Sequence, residues 1–256
     1  LCMAQTELDA DRLRNLGATR VACPGNLKFV ADPLPARAEI LAKLGESTAA
    51  RPRWLAFSTH PGEEEPIVAA HAILMKNFPD ILTIIVPRHP ARGAEIETIL
   101  EGQDLTWAVR SRDEIVSSDT QILLADTMGE LGVYFRLTDI AFVGGTLVPH
   151  GGQNPIEPAR LSCAIVHGPR MDNFLAIEGE LNAAEASSVA STAEEIAREV
   201  GTLLSNTALR QRRVAAARSV ADGKFSILDA VFSHIDPILN RLSPAQPIPA
   251  SRDARA

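Results

Sequence analysis

The sequence is poor in cysteine. Its three cysteines, Cys2, Cys23 and Cys163, lie far apart in 256 residues, form no CxxC motif and leave one unpaired if the other two are joined. Zinc sites and disulfide frameworks need closely spaced or paired cysteines. The cysteine content therefore predicts a reduced, cytosolic-type compartment and no zinc site.

Positive charge is also scarce. The chain has 25 lysines and arginines against 32 acidic residues, a formal net charge of −7 and a pI near 5.4. The one basic block, residues 210–218, has helical spacing among alanines, which is typical of a solvated helix face. Nucleic-acid binding is therefore not expected.

Long hydrophobic runs are missing as well. No apolar stretch reaches 18 residues and no signal peptide is recognisable, so the sequence predicts no membrane span and a soluble polypeptide. A chain of this length forms one large domain or two small ones and buries roughly 70–75% of its unfolded surface.

What the sequence contains is an alternation of short apolar runs and amphipathic stretches. Continuous apolar runs are typical of strands buried on both faces, so the pattern predicts an α/β fold with a parallel sheet and helices on both faces. The predicted strands are 20–23, 54–57, 81–86, 107–110, 121–125, 139–143, 163–166 and 188–190. The predicted helices are 6–16, 36–44, 63–76, 94–101, 129–137, 158–161, 172–182, 193–204, 208–221 and 227–239.

Polar residues follow four of these strands at their carboxyl ends, where parallel sheets bind ligands. They are Ser58 to Glu63 after the first of the four, Pro87 to Pro90 after the second, Asp126 to Glu130 after the third, and a glycine-rich loop after the fourth. This concentration favours a binding site at that edge of the sheet.

The glycine-rich loop is the most informative stretch. Gly144, Gly145, Gly151 and Gly152 flank Thr146 and the following residues, and glycine allows positive φ and the close approach of a ligand to bare N–H groups. Such a loop is a nucleotide-site candidate, but it is also compatible with a turn that only joins a strand to a helix.

The helix that follows the loop has two possible starts. In one, Asn154 is the N-cap, Pro155 the first helical residue and Glu157 part of a capping box, which leaves Pro158 without an intrahelical bond. In the other, the helix starts at Pro158 and Glu157 stays outside it, where its carboxylate is available to ribose hydroxyls. We adopt the second start for the predicted helix 158–161.

The single side chains are equally open to structural interpretations. Arg88 could bind phosphate or form a surface ion pair, and Glu130 could contact a ligand or close a capping box with Thr127. His60 and His89 could act as acids or bases, although lone histidines are more often structural. Residues 63–65 favour a helix N-terminus.

Five collinear motifs resemble those of the 3-deoxy-D-manno-octulosonic acid (Kdo) transferases of lipopolysaccharide synthesis. They are Gly25-Asn26-Leu27-Lys28-Phe29, Ser58-Thr59-His60-Pro61-Gly62-Glu63-Glu64, Val86-Pro87-Arg88-His89-Pro90, residues 126–132, and residues 144–158. The resemblance implies the C-terminal, donor-binding half of a GT-B glycosyltransferase, with a Rossmann-like sheet. It also implies transfer of Kdo from CMP-Kdo to a lipid A precursor at the cytoplasmic face of the bacterial inner membrane, without a metal ion or other cofactor.

The resemblance also implies roles for individual residues. The residues that would bind CMP are Pro87, Arg88, Met128, Gly129, Glu130, Asn154, Pro155, Ile156 and Glu157. Lys28 would stabilise charge in the transition state, although its spacing alone assigns it no role. Ser58, His60 and the glycine-rich loop, with Gly144, Gly145, Thr146, Gly151 and Gly152, would line the donor site.

Family members also have an N-terminal half with a membrane anchor, the acceptor surface and a glutamate general base. We therefore expect residues 1–35 to cross from such a half, residues 36–226 to form the CMP-sugar domain, residues 227–242 to form a C-terminal helix and residues 243–256 to be a disordered tail. On that expectation, the chain alone binds CMP weakly and does not transfer sugar.

Two other functions fit the same residues. One is the donor domain of another GT-B enzyme, either a sugar-nucleotide transferase or an epimerase. The other is a non-catalytic nucleotide-binding module.

Overall fold

The computed structural model describes residues 1–49 and 51–242, which form two compact units. One is Asp32–Asp222; the other joins Leu1–Ala31 to the described residues from Gly223 onward. The predicted tail, residues 243–256, lies outside the described residues. In the part of the chain that is described, no helix is both long and apolar enough to cross a membrane.

The strands are short and, in the larger unit, mostly buried. They are β1 Cys2–Met3, β2 Val21–Ala22, β3 Arg53–Thr59, β4 Leu82–Pro87, β5 Trp107–Val109, β6 Ile122–Leu124, β7 Ile140–Val143, β8 Ala164–His167 and β9 Ser187–Val189. The helices are α1 Glu7–Asn15, α2 Ala38–Thr48, α3 Glu64–Leu74, α4 Gly93–Glu101, α5 Leu131–Leu137, α6 Ile156–Arg160, α7 Leu175–Ala183, α8 Ala193–Ser205, α9 Thr207–Asp222 and α10 Ser226–Leu242.

The larger unit is built on a seven-stranded sheet in the order β5-β6-β4-β3-β7-β8-β9, in which every pair of neighbours is parallel. Helices cover both faces. Trp54 and Ala56 of β3 point to the face where residues of α3, α4 and α8 pack. Phe57 points to the other face, where its ring meets Phe135 of α5 at 4.9 Å. The predicted parallel α/β sheet is confirmed.

Several predicted helix boundaries are wrong, three of them at a glycine or a proline. The helix predicted to end at Gly45 continues to Thr48, since glycine costs only about 1 kcal/mol inside a helix. The helix predicted from Gly129 starts at Leu131, because Gly129 has φ +79°. The helix predicted from Pro158 starts at Ile156.

The order of the strands determines where a site forms. The chain leaves β3 towards β4 on one side and returns to β7 on the other, so β3 and β7 are the neighbours at which the winding reverses. Ligands of open parallel sheets bind at such a point, beyond the carboxyl ends of the strands. The loops after β3, β4, β6 and β7 are those predicted to carry the site.

Candidate active site

The carboxyl ends of β3 and β7 approach each other unusually closely. The register of β3 shifts between Phe57 and Thr59, and Ser58 takes φ +52°, a left-handed conformation that costs a serine of the order of 1 kcal/mol. Gly144 lies against this bend, where a β-carbon would clash with the Ser58 carbonyl oxygen. Only glycine fits at position 144, so the two loops start from one tight junction.

Glu63 holds the glycine-rich loop in place. Its side chain is fully buried and accepts backbone N–H groups from Gly145 at 2.6 Å, Thr146 at 2.9 Å and Leu147 at 2.9 Å. It also accepts the N–H of His60 at 2.9 Å. A carboxylate inside the protein therefore occupies the anion-binding concavity of this loop.

The two buried glutamates, Glu63 and Glu64, change two predictions. The N–H groups of Gly145 and Thr146, expected to be bare, are already hydrogen-bonded. Residues 63–65 do not all serve a helix N-terminus, because Glu64 is buried and pairs with Arg92 at 2.7 and 3.1 Å. Only Glu65 of the three is exposed.

The start of α6 is closer to the first of the two registers. Asn154 accepts the N–H of Ile156 at 3.1 Å, and its amide donates to Glu157 at 3.3 Å. Pro158 is the third helical residue, so it lies in the first turn, where no intrahelical bond is lost. Glu157 therefore lies within α6, contrary to the adopted prediction, and remains partly exposed.

Arg88 joins the loops after β3, β4 and β7 electrostatically. It is exposed, directly after β4, and its charge acts on both His60 and Glu157. Burial raises the pKa of Glu157, while the hydrogen bond from Asn154 and the charge of Arg88 oppose that rise. A cation, an acceptor carboxylate and an imidazole thus meet at the carboxyl edge of the sheet.

Glu130, after β6, lies in a network of donors. Arg110 contacts it with two nitrogens at 3.0 Å each, Thr127 donates at 2.7 Å and Tyr134 at 3.1 Å, and Arg37 also pairs with it. The capping-box interpretation is wrong, because Thr127 donates to the carboxylate of Glu130 and α5 begins only at Leu131. Both carboxylate oxygens are bound within the protein, so the side chain of Glu130 fixes the turn that carries Met128.

The other predicted residues take various positions. Met128 is 73% exposed, whereas Pro87, Pro155 and Ile156 are buried. Gly151 and Gly152 have positive φ and pack against residues 171–173. Lys28 is exposed on a short 3₁₀ helix, Leu27–Val30, of the smaller unit, and its role stays a prediction.

Sequence reasoning missed Glu63 and Arg110 as parts of the site. Glu63 lies inside one of the five motifs, which was the available signal, whereas Arg110 ends a predicted strand and carries no motif. Arg110 also lines a cleft with Ile40, Leu44 and Val116, and none of the predicted CMP-binding residues lines that cleft.

No group of three or more His, Cys, Asp or Glu residues within 1–49 and 51–242 is arranged to hold a metal ion. Metal independence stays a prediction.

Comparison with known proteins finds curated proteins and a solved structure at more than 30% identity. The chain is 34% identical over 254 residues to the 3-deoxy-D-manno-octulosonic acid transferase of Haemophilus influenzae, over 94% of this chain and 57% of that protein. The crystal structure of the C-terminal CMP-Kdo binding domain of WaaA from Acinetobacter baumannii matches with a TM-score of 0.68 and 31% identity, over 76% of this chain and 98% of that one.

A glycosyltransferase structure from Rickettsia africae matches with a TM-score of 0.59 at 15% identity, over 93% of this chain and 63% of that one, and shows the fold alone. No protein-family model matches the chain. The chain spans about half the length of the curated relatives it matches. The predicted fold, a Rossmann-like C-terminal domain of the GT-B type, is confirmed.

Proposed function

Since the chain belongs to the 3-deoxy-D-manno-octulosonic acid transferase family, we propose that its larger unit binds the CMP part of CMP-Kdo. The matched Acinetobacter domain is a CMP-Kdo binding domain, which supports the proposal. The observation that carries the proposal is that the exposed Arg88, directly after β4, lies close enough to Glu157, in the helix after β7, for its charge to act on that carboxylate, so a phosphate-type cation and a ribose-type acceptor lie at one edge of the sheet.

Arg88 is the phosphate ligand in this proposal. A guanidinium binds two phosphate oxygens at once, and Arg88 projects from a backbone held by the bond from its N–H to the Thr59 carbonyl at 3.0 Å. α6 is five residues long, so its dipole contributes little and the arginine supplies most of the positive charge.

Glu157 is the ribose ligand and Met128 the base contact. The carboxylate of Glu157 is oriented by the amide of Asn154 and can accept two ribose hydroxyls. Met128 exposes a flexible apolar side chain beside Gly129, which suits the face of a pyrimidine. Glu130 contributes through the turn and not through its carboxylate.

The proposed reaction is transfer of Kdo to a lipid A precursor at the cytoplasmic face of the bacterial inner membrane. An acceptor hydroxyl oxygen bonds to the anomeric carbon of Kdo while the bond from that carbon to the phosphate oxygen breaks and its electron pair leaves with CMP. Arg88 stabilises the charge gained by the phosphate, as preorganised cations do in transition states. Lys28 adds to this stabilisation. The acceptor proton passes to a general base, which the family resemblance assigns to an N-terminal half.

We expect calorimetry to detect CMP binding, with UMP and GMP weaker, and Arg88→Ala to weaken CMP by about 10- to 100-fold, the value of one or two hydrogen bonds to a charged group. Glu157→Ala should weaken CMP about tenfold by the same reasoning. Arg198→Ala, an exposed arginine on α8, is the matched control and should bind CMP normally.

Equal affinity in Arg88→Ala, Glu157→Ala and the wild type would defeat the assignment. Tighter binding of UMP or GMP than of CMP in the same titrations would favour another GT-B donor domain. Binding of several nucleotides with equal weakness would favour a non-catalytic module.

A further inference from the structure

Three histidines meet at the point where the sheet reverses its winding. His60 follows β3, His89 follows β4 and His150 lies in the loop after β7. The rings of His60 and His150 stack with centroids 3.7 Å apart and planes 31° apart. The rings of His60 and His89 meet edge to face at 6.4 Å. We call these residues the histidine cluster.

His60 is the fixed member of the cluster. It is 8% exposed, and its backbone N–H donates to the Glu63 carboxylate. Its ring Nε2 lies 3.0 Å from the side-chain nitrogen of Gln153. The contact with the amide of Gln153 fixes the orientation of the His60 ring. His89 and His150 are exposed, so the cluster has one buried ring and two rings in contact with solvent.

The surroundings of the cluster are positive. Burial is the main cause that lowers the pKa of His60 to about 4, followed by the charges of His150, His89, Arg88 and Arg92. Arg92 forms ion pairs with Glu64 and Glu95, and the Glu63 carboxylate accepts hydrogen bonds from backbone N–H groups. Arg88, by contrast, is exposed.

This arrangement favours an anion. Imidazole rings held together beside an arginine can donate hydrogen bonds to a carboxylate, and a negative charge bound next to them favours their protonated form. The position relative to the nucleotide follows from Arg88, whose charge acts on both His60 and Glu157. The histidine cluster therefore lies beside Arg88, the proposed phosphate ligand, which His89 follows directly in the chain and whose charge acts on His60.

We propose that the histidine cluster, with Arg88, is the subsite for the carboxylate of the donor sugar acid. The inference rests on the proposed function, because it places a sugar carboxylate beside a CMP phosphate. A sugar without a carboxylate would leave the cluster without its anion, so the cluster also selects sugar acids over neutral sugars.

The test compares CMP, which has no sugar carboxylate, with freshly prepared CMP-Kdo. In His89→Ala and His150→Ala we expect CMP-Kdo to bind about tenfold more weakly, the value of one charge-assisted hydrogen bond, while CMP stays within about twofold of the wild type. His234→Ala, an exposed histidine on α10, is the matched control and should change neither ligand.

Proton uptake gives the second readout. Calorimetry at pH 7.5 in two buffers of different ionisation enthalpy should show protons taken up with CMP-Kdo by the wild type, and less uptake in both variants. Equal weakening of CMP and CMP-Kdo, or CMP-Kdo binding without proton uptake, would overturn the carboxylate subsite while leaving CMP binding intact. Failure of the wild type to bind CMP at all would instead refute the proposed function and the subsite with it.

Discussion

Glu63→Ala is expected to lower the free energy of unfolding by about 4 kcal/mol, because it leaves three buried N–H donors and one partly buried N–H donor without an acceptor, each buried one costing about 1–3 kcal/mol before relaxation. Urea denaturation of the variant and the wild type measures the loss. Glu65→Ala, an exposed glutamate in the first turn of the same helix, should change stability by no more than about 0.5 kcal/mol.

The same variant offers a test of the mechanism. Removing the side chain of Glu63 leaves a space of the size of a carboxylate, lined by backbone N–H donors. Formate or acetate should therefore raise the melting temperature of Glu63→Ala more than that of the wild type. A loss below about 1 kcal/mol, or one matched by Glu65→Ala, would contradict the role given to Glu63.

The sheet was predictable because its strands are encoded locally. Residues 81–86 are apolar except for Thr83, and residues 139–143 are apolar except for Asp139; both runs form buried strands within one residue of the predicted bounds. The sequence also places polar groups after four strands, and the topology brings β6, β4, β3 and β7 next to one another. Local patterning thus predicted both the fold and the edge that carries the candidate site.

The partners of the site residues were not predictable, because they lie far apart in the sequence. Glu63 binds groups 82 to 84 residues away, and Arg37 lies 93 residues from Glu130. Before folding, Glu63 matches the preference of acidic residues for a helix N-terminus, and that local interpretation is wrong because tertiary donors compete for the same carboxylate.

The histidines show the same limit. A single histidine on a loop is more often structural than functional. Only the alignment of β3, β4 and β7 brings His60 next to His89 and His150. The start of α6 was also not predictable. The two possible starts differ by only three residues, and the preferences of the two prolines do not choose between them.

Glu130→Ala should cost about 3 kcal/mol at pH 7, because removing the buried partner of this ion pair leaves the mostly buried Arg110 with only the exposed Asp113 as a charge partner. Glu101→Ala, an exposed glutamate on α4, is the control and should cost no more than about 0.5 kcal/mol. The comparison is made by urea denaturation at a series of pH values.

The pH series has a defined sign. Burial alone would raise the pKa of Glu130, but hydrogen bonds from Thr127, Arg37, Arg110 and Tyr134 hold that pKa below its ordinary value. A carboxylate with a depressed folded-state pKa contributes stability above its unfolded pKa, about 4.3, and loses that contribution as the pH falls through the folded value. The difference between wild type and Glu130→Ala should therefore be full at pH 7 and shrink below about pH 4.

CMP titration of the same variant separates two roles of Glu130. If its carboxylate fixes the turn of Met128, then Glu130→Ala loses both stability and CMP affinity. We expect the affinity for CMP to fall about tenfold and the turn to become more susceptible to proteolysis. If the carboxylate instead bound the cytosine directly, affinity would fall with stability unchanged, which would contradict the network of donors around this residue. Since both carboxylate oxygens already accept hydrogen bonds from the protein, the first outcome is the one that the structure supports.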